Sequence, residues 1–373
     1  MPLHRPFSDS NVNHSNISLA FSEFNVIVTN IEGVMWRKAI PMEQKTRVPK
    51  PGIAAALRAL LLEMNQGSPW LTVTGLIMLA DIALSIAGLI ADPTLVTGAP
   101  AWLKPLKFGL STCLFSFTVA FFLSRLNKTR RLAAAAGRVM AAALVLEIVL
   151  IDLQAARHTT SHFNQTSRFD TAVYAIMGLG ISIVLLTTLF LLVLTLIERF
   201  SDRSLGHAVR LSLALALAGM STGILMTLPT PQQLADANAG RGLPAVGAHT
   251  VGARDGGPGL PITGWSADHG DLRIAHFVGL HAMQALLLGW WLTTGRRAWS
   301  QSRQLRLVWS IAIITSGVFA TVLSQALRGL PILRPDGPIV TSWCACLLGT
   351  VLLSIWTALP TPAQTTQPLQ QLR

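Results

Sequence analysis

Eight stretches of this chain are long and apolar enough to cross a bilayer, and they bound its fold more tightly than anything else in the sequence. They cover about 71–91, 105–124, 137–156, 171–197, 210–229, 274–294, 307–327 and 341–359. A helix needs roughly 20 apolar residues to span the hydrocarbon layer. Lipid offers no partner to a backbone amide, so spans are helices or closed barrels. These runs are too long and too uniformly apolar to be barrel strands. The expected fold is all-α, with about eight transmembrane helices in a bundle. Only 12% of the 373 residues are charged, against about 25% in soluble domains, and the bilayer is therefore the first expected partner.

A formal charge of +12 invites a nucleic-acid reading. Here the positives sit in short connections between apolar runs, which is a sign of membrane topology, and no nucleic-acid partner is expected. With the N-terminus inside, 20 of the 29 Lys and Arg fall on the cytoplasmic side. The clusters at 125–131 and 296–297 are the strongest of these. Both termini are expected in the cytoplasm. Trp70, Trp290, Trp291, Trp309 and Trp356 fall at inner ends of the spans, Trp102 and Trp343 at outer ends, as an aromatic belt requires.

Around the membrane domain (71–360) the sequence reads as shorter segments. Residues 1–52 form a tail, disordered or not translated, since Met35, Met42 and Met64 are alternative starts. No cleavable signal peptide is expected, because the first apolar run begins near residue 71. Residues 53–70 (beginning IAAALRALLLEM) read as an interfacial amphipathic helix, and 361–373 as a cytoplasmic tail. The connection 230–273 is an outer Gly/Pro-rich loop. A loop of that length is usually functional or disordered, and Leu260, Ile262 and Trp265 favour an ordered lid. Cys113, Cys344 and Cys346 have no pairing or zinc-site spacing and read as packing residues. Gly219-Met-Ser-Thr-Gly223 offers a small-xxx-small helix contact.

Six of the nine histidines fall on the outer side: His158, His162, His249, His269, His276 and His281. Polar groups inside a membrane are costly and so tend to be functional. On the third span Glu147, Ile151, Gln154, His158 and His162 fall within about 80° of arc if the helix continues past Arg157. His158 and His162 would then be an i, i+4 pair able to reach one metal, with Glu147 and Gln154 behind them. Against this stands the plainer reading of two solvated histidines at a helix end. On the sixth span His281 lies about 12 Å deep, with Gln284 one turn further on. His276 is about 140° round the helix from His281. Asp271 is either a helix-starting acid or a catalytic one. Asp81 and Glu147 are too deep to reach water, so each needs a partner, with Lys107, Arg273 or a histidine available. Lys104, Lys107, Ser111 and Thr118 stripe the second helix, and Thr321, Gln325 and Arg328 the seventh. The pattern describes a polar chamber open to the outside.

The strings QAARHTTSHFN, DGGPGLPITGWS and HGDLRIAHFVGLHAMQ resemble those of a family of bacterial multi-pass membrane proteins with no established activity. The resemblance spans roughly 70–295 and implies a multi-pass protein of the bacterial inner membrane. No HExxH or Walker A motif is present.

Three readings of function stand. The first is an outward-facing site for a metal ion (Fe, Cu or Zn) or haem b, of oxidoreductase type. In it His158, His162, His276 and His281 are metal ligands, His158, His281 and Gln284 hold the cofactor, and Glu147 and Asp271 are catalytic. Its substrate would be a small or lipid-soluble molecule from the outer side. The second is a proton-coupled transporter using Asp81, Glu147 and Asp152. The third is a non-catalytic sensor or assembly subunit.

Overall fold

A computed structural model describes residues 52–294 and 299–360. The expected tails, and the basic pair Arg296–Arg297, lie outside those residues. Helix α1 (Ile53–Gly67) coincides with the expected amphipathic segment. Eight helices long and apolar enough to cross a membrane follow. In chain order they are α2 (Pro69–Ala91), α3 (Leu103–Leu123), α4 (Arg130–Ala156), α5 (Arg168–Ile197) and α6 (Arg203–Thr227). A short helix, α7 (Pro231–Asn238), precedes α8 (Leu272–Thr294), α9 (Gln301–Leu327) and α10 (Gly337–Ala358).

Most spans start earlier than hydropathy alone places them, and caps explain this. Side chains of Ser68, Ser167, Asp202, Ser300 and Asp336 accept first-turn amides of α2, α5, α6, α9 and α10. These satisfy amides that have no intrahelical acceptor. The outward faces are apolar throughout. On α10, Leu347, Leu348, Val351, Leu352 and Ile355 are all exposed, a surface suited to lipid rather than water.

The helices form two groups. In the first, α2 packs on α3 and α4, α3 on α4, and α4 on α5. In the second, α8 packs on α6 and α9, and α10 on α9. The α5–α6 contact and a light contact between α3 and α8 join them. The most extensive helix contact is α6 with α8, and the GMSTG stretch accounts for it. A Cβ on Gly219 would lie 2.8 Å from Gly279 Cα, and one on Gly279 2.4 Å from Gly219 Cα. Only glycine allows backbones this close.

Two small antiparallel ladders organise the loop-bearing face. Strands β1 (Leu95–Val96) and β2 (Ala99–Pro100) link α2 to α3, and β3 (Thr250–Val251) pairs with β4 (Gly270–Asp271) at the start of α8. The long loop is folded. Leu260 and Trp265 bond through their backbones, Lys107 Nζ donates to the Thr263 carbonyl at 2.9 Å, and Trp265 packs edge-on against Phe277 of α8.

The segment after α4 departs from the sequence reading. The helix ends at Ala156, capped by Arg157, and His158 takes φ 54°. The chain then turns back into the bundle, burying Ser161, Phe163 and Asn164. Asn164 Nδ2 donates to Thr159 Oγ1 and the Thr160 carbonyl. Val246 N–H donates to the Phe163 carbonyl and Gln165 N–H to that of Pro244. Non-helical backbone is tolerated here because protein surrounds it and pairs its amides. His158 and His162 are therefore not an i, i+4 helical pair.

Candidate functional site: a histidine and carboxylate cluster at the loop face

The turn-back carries His162 down beside Glu147. His162 Nδ1 lies 2.9 Å from Lys104 Nζ and 3.1 Å from Ser161 Oγ. Its Nε2 lies 3.6 Å from Glu147 Oε1. With Lys104 as a charged donor, Nδ1 accepts and the neutral ring carries its proton on Nε2, facing the carboxylate. Burial holds the His162 imidazole well below the usual histidine range, and the positive charges of Lys104, His249 and His276 reinforce this. Phe108 and Phe163 flank the ring at 5.7 and 6.1 Å between centroids. Glu147 is buried, and its Oε2 has no hydrogen-bond partner among the described residues. It faces Gly180 of α5, where a Cβ would lie 3.8 Å away.

The long loop supplies the other wall. His249 Nδ1 donates to Asp255 Oδ2 at 2.7 Å, and the amides of His249 and Thr250 donate to the same carboxylate. Burial alone would raise the Asp255 carboxyl. The hydrogen bonds and charge of His249, with the two amides, outweigh it and hold the group below the usual carboxylate range. Burial lowers His249, and Asp255 restores only part of the shift. Phe163 stands edge-on between His249 (4.9 Å) and Tyr174 (5.8 Å). Its φ of 65° is uncommon for a bulky residue. His276 Nδ1 donates to the Gly219 carbonyl at 2.8 Å. Lys104, Glu147 and His162 come from the first helix group and its turn-back. His249, Asp255 and His276 come from the second group and its loop, so the cluster sits at their seam.

The other expected site residues have separate places. His158 is exposed, with Nε2 2.9 Å from Asp92 Oδ2. Asp92 also accepts from Thr94 and Trp102, and these bonds, that of Thr94 first, hold its carboxyl below the usual range. Gln154 does not orient an imidazole. It donates to Asp170 Oδ1 at 2.9 Å, where Arg157 also bonds. Asp271 is fully engaged by the Ser266 amide and the Arg273 amide and guanidinium, which ties the loop to α8. His276 faces α6, whereas His281 faces α3. His281 Nε2 lies 3.2 Å from Ser111 Oγ, its Nδ1 lies 3.2 Å from Gln284 Oε1, and Gln284 Nε2 donates to Thr118 at 3.1 Å. These bonds span the light α3–α8 contact. On α9, Gln325 donates to the carbonyls of Pro331 and Ile332 and takes no part in the cluster.

Sequence reasoning passed over His249 with Asp255 as a pair. The available signal was an aspartate six residues after a histidine inside a Gly-rich loop. Among the described residues no group of three His, Cys, Asp or Glu side chains is placed to hold a metal ion. No family model, curated protein or solved structure matches the chain.

Proposed function

We propose that this is a proton-exchanging membrane protein in which Lys104, His162 and Glu147 relay a proton between the loop side and a buried carboxylate. The observation that carries this reading is the His162 ring, with Nδ1 against Lys104 Nζ at 2.9 Å and Nε2 towards Glu147 at 3.6 Å. A neutral imidazole accepts a proton at one nitrogen and releases one from the other, and such acid–histidine chains are what intramembrane proton relays use. The seam between two helix groups is where a small polar molecule from the loop side would couple to that proton. The distribution of Lys and Arg favours the loop face outward and the termini in the cytoplasm. The resemblance above supports a bacterial inner membrane as its location.

The test is proton flux into vesicles holding the reconstituted protein and a trapped pH dye, driven by an imposed potential. Glu147→Gln and His162→Ala should each reduce the flux about tenfold or more. Flux indifferent to both substitutions would sink the relay.

A second reading, metal binding, is favoured by one feature. His249 and His276 each give Nδ1–H to a carboxylate or carbonyl, at 2.7 and 2.8 Å, which leaves Nε2 to accept. Metal-binding imidazoles are held in this way. His249 and His276 would be the ligands, and imidazole suits Fe, Cu and Zn. Haem b fits less well, since His158 and His281 would have to leave Asp92 and Ser111. Near-stoichiometric metal in the purified protein, lost in His249→Ala and His276→Ala, would establish this reading in place of the relay.

A further inference from the structure

Away from Glu147, two more carboxyl groups meet within the apolar layer. Asp81 lies near the middle of α2, Asp152 near the end of α4, and their side chains are within hydrogen-bonding reach of each other. Asp81 is 7% exposed. Neither of its oxygens, nor Asp152 Oδ1, finds a donor among the described residues. Ser85, one turn along α2 on the same face, is fully buried and its Oγ is also without a partner. Helix α3 makes room for the pair, since a Cβ on Gly109 would lie 2.3 Å from Asp81 Oδ2. Met78, Cys113 and Ile148 pack together on the same three helices.

Ionised carboxylates only accept hydrogen bonds, and two of them side by side in a low dielectric repel strongly. A bond between them requires a proton on one. On the three packed helices Arg130, Arg131 and Arg138 lie in the opposite half of α4 from Asp152, and the remaining ionisable groups are engaged elsewhere. Lys104 bonds His162, Lys107 bonds the Thr263 carbonyl, Glu147 faces His162, and the Cys113 thiol donates to the Gly75 carbonyl. We infer that Asp81 and Asp152 form a proton-binding site in which the two carboxyls share one proton and so join α2 to α4. This site uses none of the relay residues and stands or falls separately from them.

Infrared spectroscopy of the reconstituted full chain provides the test. At neutral pH a protonated-carboxyl band that shifts in D2O is expected. It should persist in Glu147→Gln and disappear in the Asp81→Asn/Asp152→Asn double variant. In Asp152→Asn alone an amide can donate to Asp81 without a proton. Between about pH 6 and pH 9 the melting temperature of the wild type should fall by several degrees relative to that of Asp152→Asn. Asp81→Asn serves equally if Asp152→Asn does not fold. Absence of the band overturns the proposal. So does stabilisation by sodium over choline at fixed pH that is lost in Asp152→Asn, because a metal ion would then bridge the pair.

Discussion

His249 and Asp255 illustrate how the residues of the cluster depend on one another. Asp255 accepts three bonds from His249 and Thr250, so Asp255→Ala leaves buried donors unsatisfied, at about 1–3 kcal/mol. The pH dependence follows from the shifts. His162 and His249 both lie below the usual histidine range, and Asp255 lies below the usual carboxylate range. Each binds fewer protons folded than unfolded, so the stability of the loop face declines as pH falls. The histidine part is lost downward from about pH 6.5 and the Asp255 part from about pH 4. Amide exchange in 245–272, corrected for intrinsic rates, should therefore accelerate as pH drops from about 7 to 5. His249→Gln should remove part of that response, and exchange indifferent to pH would contradict it. Glu147 and His162 could be picked out of the sequence as costly polar residues. Their meeting could not, because it depends on a chain reversal at His158 that Asp92 holds by a contact distant in sequence, while Asn164 closes the turn locally.

Among the elements, the spans were legible because roughly 20 apolar residues leave few alternatives. Their ends were less so, since first turns rich in Arg, at Arg130 and Arg131 or Arg203, extend beyond the apolar run while the long side chains reach for water. The expected span end at 156 matches α4, but the continuation past Arg157 that the histidine pair required does not form: Thr159 and Thr160 are compatible with a helix locally, and tertiary contacts decide otherwise. Gly219 and Gly279 belong to this scale. Gly279→Leu must force α6 and α8 apart, and overpacking costs typically about 1–3 kcal/mol. Thermal melting in detergent should show a clear loss for Gly279→Leu and a smaller one for Gly223→Ala, whose Cβ would meet only the His276 ring at 3.7 Å. Equal melting temperatures for Gly279→Leu and wild type would mean the helices do not cross there.

For the whole molecule, the two helix groups meet at a seam polar mainly on the loop side. Below it α3 and α8 meet through the rings of Phe121 and Trp290, and Arg210 of α6 donates to the Thr195 carbonyl of α5. In the orientation proposed from the positive charges this face is external. In a background with Cys113, Cys344 and Cys346 replaced, a membrane-impermeant thiol reagent on intact cells should label Ala253→Cys and spare Ser201→Cys. The reverse pattern would invert the topology. In the proposed relay Lys104, His162 and Glu147 act as one electrical unit, which nitrogen NMR of histidine-labelled protein in lipid can read at the ring itself. At pH 5.5, where an ordinary histidine is mostly charged, His162, assigned by its loss in His162→Gln, should remain neutral with its proton on Nε2. A doubly protonated His162 ring at that pH, or a proton on Nδ1, would contradict the account.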